Sequence, residues 1–298
     1  MTSAIILLNP HAGQGQALAL RQPMQRWLEH HAPAVPLLVP DNPDEALATL
    51  LITAQRTRVV LVGGTGTVQA MLPSLTRRHH RLGLVPAGRH NDLAASLGLT
   101  RIGWSEALRY ALHAPALPID LGHVETEQGP ALFCSSLACG HDALATELAQ
   151  QAPGWLGRGI GRSAGAALRT LLTRPAQDLR IWADGRAVHD GPLALAAVLN
   201  TSTYHGDAQM APAAQPDDQQ LELLLLRQRR HLGLLRLLPW LHAHRPASIP
   251  IERHGCRKLL FAASTPTPLL LDGELRPSAQ RFTVQLLPRA LKVARQSG

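Results

Sequence analysis

Residues 63–67, Gly-Gly-Thr-Gly-Thr, end an apolar run, Val59-Val60-Leu61-Val62, and open a stretch that reads as helix. Glycines there let a backbone approach an anion closely, and the N–H groups at a helix start attract it. The loop therefore suits a phosphate, with the Thr67 hydroxyl as an added donor. The competing reading is a tight strand-to-helix turn that holds nothing. It is not a Walker A loop, because no Gly-Lys-Ser/Thr follows at the required spacing. The loop carries hydroxyls and no carboxylate, although phosphoryl transfer ordinarily uses carboxylates to manage magnesium. Three other segments bring polar or acidic residues with glycines: NPHAGQG (9–15), LGLVPAGRHNDLAASLGL (82–99) and LLLDGE (269–274).

Other reactive residue types are scattered. Of 15 histidines, His11, His90, His141 and His205 fall in or near these segments, without HxxxH or HExxH spacing, so a histidine metal site is not expected. His90, beside Asn91-Asp92, is the histidine to watch as a ligand contact. Cys134, Cys139 and Cys256 form an odd, low count, which argues for a reducing compartment and for small core residues. RQRRHLGLLRLLPWLHAHR (227–245) combines Arg, Leu and Trp240. It suits either an anionic membrane surface or, preferably, an ordinary leucine stripe packed on the protein. GWLGRGIGRSAGAALRTLL (154–172) offers glycines and arginines that could border an acceptor pocket or simply loosen the chain. Aromatics are 3% and show no interleaving with basic residues, so no nucleic-acid module is expected.

The elements that must position these residues follow from patterning. The chain has 298 residues, 45% of them apolar, enough for one or two folded domains. A formal charge of +8 and a pI near 10.6 suit an anionic partner, or else a solvated Arg-rich surface. AIILL (4–8), VPLLVP (35–40), RVVLV (58–62) and RLGLVP (81–86) read as buried strands. Helical stretches at 17–31, 43–55 and 67–75 alternate with them, which is the pattern of a parallel α/β sheet. After about residue 122 strand-like runs dominate: GPALFCSSLACG, DLRIWADGRAV, GPLALAAVLNTS, LELLLL, KLLFAAS, PLLLDGE and RFTVQLL. The expectation is a Rossmann-like α/β domain at 1–122 and an antiparallel β-sandwich at 123–287, with 288–298 returning to the first domain. The N-terminus lacks a basic region before its apolar run, and no apolar stretch reaches the length of a membrane span. A cytoplasmic protein is expected, with contact at the inner membrane surface left open.

In this order, the segments resemble the diacylglycerol kinase catalytic-domain family, bacterial lipid kinases related to sphingosine kinases and more remotely to NAD kinases. The family pattern is an Asn-Pro loop, then GGDGT, then PxGTxND, then a late DGE. PIDLG (118–122) and the stretch Gly206-Asp207-Ala208-Gln209-Met210-Ala211-Pro212 through Asp217-Asp218 also look like the family. The resemblance implies an interdomain cleft that binds ATP. Asn9, Gly63, Gly64, Gly66 and Thr67 would form the phosphate site, with Arg89, Asn91 and Asp92 beside it. Asp272 and Glu274 would be catalytic, with Asp272 the general base toward a lipid or lipid-like hydroxyl acceptor, and Asp92, Asp120, Asp217 and Asp218 would attend Mg²⁺. Three departures stand out: Thr65 where the pattern has Asp, Arg89 where it has Thr, and Gln219 where it has Gly after Asp217-Asp218. Thr65 weakens the expected hold on Mg²⁺, and Arg89 adds a cation next to the same phosphates. The reading is an ATP-dependent lipid kinase. Its rival is a pseudokinase that binds nucleotide or lipid without efficient transfer. Oligomeric state is not legible.

Overall fold

The computed structural model describes residues 4–151, 170, 176–204, 208–227 and 251–295. His205, Gly206 and Asp207 lie outside them, as do the 154–172 segment apart from Thr170 and the 227–245 segment apart from Arg227.

The first half alternates β1 (Ala4–Leu8), α1 (Arg21–His31), β2 (Leu37–Leu38), α2 (Pro43–Ile52), β3 (Arg58–Gly63), α3 (Thr65–Arg77), β4 (Arg81–Pro86), α4 (Asp92–Ser96) and α5 (Trp104–His113). The strands are parallel in the order β2-β1-β3-β4, with Ile6 opposite Val60 and Val60 opposite Gly83. Both faces are covered, so the strands are apolar apart from Arg58 and Arg81 at the starts of β3 and β4. Val59 and Leu61 point to one side, where they meet Leu50 of α2 and Val68, Met71 and Leu75 of α3. Val60 and Val62 point to the other, against Met24 and Leu28 of α1 and Ala107 and Leu108 of α5. Local chemistry starts the elements. In α2 the Asn42 side chain accepts the Glu45 N–H at 2.9 Å, Glu45 reaches back to the Asp41 N–H at 2.7 Å, and Pro43 occupies the first turn.

The second half comprises β5 (Ala116–Thr126), β6 (Gly129–Phe133), β7 (Ser136–Gly140), α6 (His141–Gln151), β8 (Gln177–Ala183), β9 (Arg186–Leu199), β10 (Thr203–Tyr204), β11 (Ala208–Gln209), β12 (Leu221–Arg227), β13 (Glu252–Cys256), β14 (Lys258–Leu271) and β15 (Glu274–Ala294). It is an antiparallel β-sandwich closed on Phe133, Ile181, Val198, Leu223, Phe261 and Phe282. Phe261 and Phe282 are cross-strand partners whose rings stack at 4.5 Å. Cys134, Cys139 and Cys256 are buried and free.

Strand β15 joins the halves. It pairs with β14 from Glu274, with β5 beyond Phe282, and finally runs parallel to β4 at Lys292 and Val293. Asp120 of β5 pins this junction: its carboxylate accepts the Gln219 and Arg289 N–H groups, each at 2.7 Å, and it is wholly buried.

Several expectations need correction. GPALFCSSLACG is not one strand but β6 and β7, broken at Cys134-Ser135. VPLLVP contributes only Leu37–Leu38, at the sheet edge. Helices α5 and α6 were not foreseen. The α5 sequence buries Ala107, Leu108, Ala111 and Leu112 at helical spacing, a signal that was present. RFTVQLL and LLPRALKVA are stretches of the same 21-residue strand, β15.

Candidate active site

The glycine loop sits where β3 ends and α3 begins, at the C-terminal edge of the parallel sheet. Two other loops are fastened to it. Asn9, just past β1, donates from Nδ2 to Thr67 Oγ1 at 2.8 Å and accepts the His11 N–H at 3.0 Å. The loop after β4 lies directly against the glycines: a Cβ on Gly64 would fall 2.7 Å from the His90 carbonyl oxygen and 2.8 Å from Gly88 Cα. Only glycine permits that approach. Thr65, 2% exposed, completes the join. Its N–H donates to the His90 carbonyl at 2.9 Å, and its hydroxyl accepts the Asp92 N–H at 2.9 Å. The hydroxyl proton faces the His90 carbonyl at 3.2 Å and Asp92 Oδ2 at 3.4 Å. Thr65 thereby caps α4 from another loop, taking an N–H that the helix itself cannot satisfy.

The opposite wall comes from the β14–β15 hairpin. Leu271 pairs with Glu274, leaving Asp272-Gly273 as a two-residue turn with φ of +49° and +84°. Positive φ at both positions is what a type I′ hairpin turn demands, and Asp-Gly supplies it. The turn points Asp272 at the break between β6 and β7. There Oδ2 accepts the Cys134 N–H at 2.8 Å, and Oδ1 accepts the Ser135 and Ser136 N–H groups at 2.7 and 2.9 Å. Burial pushes the Asp272 carboxyl up to about 6, against the downward pull of those three N–H groups. The same burial, together with the Asp272 charge, drives the Cys134 thiol far up, so it is no nucleophile. Glu274 reaches the glycine loop: a Cβ on Gly66 would lie 2.5 Å from its Oε1. Its carboxyl is also raised by burial, with Arg276 opposing.

Together these segments wall a cleft of about 870 Å³ between the two halves. Asn9, Gly64, Thr65, Gly66, Thr67, Arg89, Asp272 and Glu274 all line it, with Pro130, Ala131 and Leu132 of β6 as an apolar flank. Gly63, Asn91 and Asp92 are not among its lining residues. Gly63 ends β3. Asn91 holds its own loop, exchanging hydrogen bonds with the Gly88 N–H and carbonyl at 3.1 and 2.8 Å. His11 and His90 line the cleft, whereas His141 is buried with Nδ1 at 3.0 Å from the Ala194 carbonyl.

The four carboxylates expected at a metal do not gather. Asp120 is occupied by two backbone N–H groups, and Asp217 is paired with Arg295. Asp218 accepts the Gln220 and Gln215 N–H groups at 2.9 and 3.4 Å. Among the described residues no three His, Cys, Asp or Glu side chains form a group able to hold a metal ion.

A model of the diacylglycerol kinase catalytic domain matches residues 3–124. The YegS C-terminal NAD kinase beta sandwich-like domain matches residues 135–295. A probable lipid kinase YegS-like protein of Chromohalobacter salexigens is 31% identical over 81% of this chain and 76% of its own length. The chain belongs to the diacylglycerol kinase family. A diacylglycerol kinase of Mycobacterium tuberculosis is 28% identical to this family member, over 78% of this chain and 76% of its own. In fold, the family member is similar to a solved putative diacylglycerol kinase from Bacillus anthracis (TM-score 0.73, 18% identity, 99% and 97% of the two chains). It is also similar to an NAD kinase from Archaeoglobus fulgidus solved with ATP (TM-score 0.54, 14% identity, 98% and 93%).

Two parts of this diacylglycerol kinase-family site escaped the sequence reading. The Cys134–Ser136 backbone cradle leaves no side-chain signature, because its donors are main-chain N–H groups. The Asp272-Gly273 turn did carry one: Asp-Gly between strand-like runs is a strong hairpin signal.

Proposed function

We propose that this chain transfers the γ-phosphoryl group of ATP to a hydroxyl of a lipid or lipid-like acceptor. The carrying observation is that Asp272, a buried carboxyl raised to about 6, shares one cleft with the glycine loop, to which its neighbour Glu274 extends. A base titrating near the working pH is both ionised and basic enough to take a proton in the transition state. Glycine-loop N–H groups at the start of α3 would receive the nucleotide phosphates. The apolar flank at Pro130–Leu132 suits the acyl-bearing end of an acceptor.

The acceptor oxygen attacks the γ-phosphorus. A new O–P bond forms as the bond to the β–γ bridging oxygen breaks, and ADP departs with that electron pair. The hydroxyl proton passes to Asp272. Oδ2 is its destination in this reading, since it accepts one backbone N–H where Oδ1 accepts two. Mg²⁺ is generally held by one or two carboxylates together with phosphate oxygens and water. Asp92, Asp120, Asp217 and Asp218 do not fit that ion as a set, since among the described residues they form no metal-holding group and each has a partner of its own within the protein. A cytoplasmic setting with peripheral membrane contact belongs to the same reading. No helix among the described residues is long and apolar enough to cross a membrane.

The test is ATP turnover against a panel of lipid hydroxyl acceptors in detergent micelles, for the wild type and Asp272→Asn. The substitution keeps shape and removes proton acceptance, so turnover should vanish while ATP affinity stays within a few-fold. Normal turnover in the variant would remove Asp272 from the chemistry. Tight ATP binding with no turnover on any acceptor would overturn the kinase assignment.

A further inference from the structure

The cleft brings together phosphate-binding backbone and very little acidic side chain. Thr65 faces the cleft where the glycine loop meets the β4–α4 loop, and its hydroxyl is bound to Asp92 and the His90 carbonyl. Asp92, 5% exposed, is not in the lining. The acidic residues that do line the cleft are Asp272, gripped by three N–H groups, and Glu274. Set against these are Arg276, whose charge faces Glu274, and Arg89. Arg89 is exposed, lines the cleft, and rides on the Gly88–His90 segment whose backbone touches Gly64. Its guanidinium makes no hydrogen bond or ion pair with any described residue. An unengaged planar fork beside a loop of N–H groups is the geometry that recognises phosphate bidentately.

We infer that Arg89 is the cationic phosphate clamp of this cleft, and that it neutralises the nucleotide's phosphates directly, so that ATP binds without a divalent ion. The inference rests on the nucleotide reading above and concerns the charge balance of that same site. Arg89 also borders a second hollow of about 650 Å³ lined by Gly13, Gln14, Gln16, Leu20 and Trp104, and a guanidinium committed there would not serve as the clamp.

The experiment is calorimetric titration of ATP, and separately of inorganic triphosphate, into the full chain in excess EDTA or in saturating Mg²⁺. Wild type, Arg89→Ala and Arg89→Lys are compared. The wild-type Kd for ATP should differ by less than about threefold between EDTA and Mg²⁺, and Arg89→Ala should weaken binding in EDTA by about 10- to 100-fold. Mg²⁺ should restore part of that loss, Arg89→Lys should fall between, and triphosphate should follow ATP. The clamp is overturned if the wild type binds ATP more than about tenfold tighter with Mg²⁺ or if Arg89→Ala binds like wild type in EDTA. Folded wild type that binds ATP in neither condition would overturn the nucleotide reading itself.

Discussion

Replacing Thr65 by Asp would convert the hydroxyl that joins two loops into a second carboxylate beside Asp92. The two groups stand 3.4 Å apart in the wild type, with Thr65 2% and Asp92 5% exposed. Two unit charges at that 3.4 Å separation repel by roughly 5 kcal/mol at an effective dielectric of about 20. Protonation offers a cheaper escape: holding a carboxyl with an ordinary pKa near 3.9 neutral at about pH 7 costs roughly 4 kcal/mol. The lower figure is the expected destabilisation. At ~2.1 cal/mol/K per residue over 298 residues, it lowers Tm by about 6 °C. The sign with pH follows from linkage. The new pair's pKa is raised in the folded state, so the native protein binds the extra proton between the unfolded and folded values. Stability is therefore regained as pH falls toward 4, by roughly 1.4 kcal/mol per unit relative to wild type. Mg²⁺ should raise the Tm of the variant, which now presents two facing carboxylates, and leave ligand-free wild type unmoved. Thr65→Val is the uncharged control; it strands the Asp92 N–H and costs about 1–3 kcal/mol without pH dependence in this range. Differential scanning calorimetry across pH, in EDTA and in Mg²⁺, reads all of this. Thr65→Asp melting like wild type in neutral EDTA, with no gain on acidification, would show that the hydroxyl does not face Asp92.

Three further outcomes are expected. If Asp272 is the base, kcat/KM should fall as pH drops through about 6, by about tenfold per unit below it; a profile flat down to pH 5 would separate the carboxyl from the chemistry. Gly64→Ala places a methyl 2.7 Å from the His90 carbonyl and 2.8 Å from Gly88 Cα, so the loops must part and the ATP-induced rise in Tm should vanish; an undiminished rise would put the nucleotide elsewhere. Asp120→Ala leaves the part-buried Gln219 and Arg289 N–H groups without their acceptor and should cost about 2–5 kcal/mol in urea unfolding, whereas a change under about 0.5 kcal/mol would mean that water replaces the carboxylate.

The fold was legible because its signals are local. Val59 to Val62 are apolar on both faces, as a parallel strand between helix layers must be, and Asn42-Pro43 with Glu45 announces a helix start. The glycine loop and the Asp272-Gly273-Glu274 run were legible by type and order, though the hairpin turn that run forms was not, and the structure brings them to one cleft. What could not be read is which carboxylates stay available. Asp92, Asp120, Asp217 and Asp218 are alike on the page, yet their partners are Thr65, two distant backbone N–H groups, Arg295 and the residue's own turn. Those pairings span separations as large as the 169 residues between Asp120 and Arg289 and have no periodic trace. Nor does a backbone cradle such as Cys134–Ser136, whose donors every sequence possesses.

The parallel pairing of Lys292 and Val293 with Arg81 and Leu82 has a consequence for the growing polypeptide. Strand β4 leaves the ribosome 292 − 81 = 211 residues before the segment that covers its outer edge. At 5–20 residues per second that is a delay of roughly 10–40 s. Through that interval a nascent α/β half presents an open row of backbone donors and acceptors, the kind of edge on which chains aggregate. Newly made protein should therefore lean on chaperones until β15 is complete. Chains that lose even the last few residues of that strand should accumulate in the insoluble fraction while their catalytic segments remain intact.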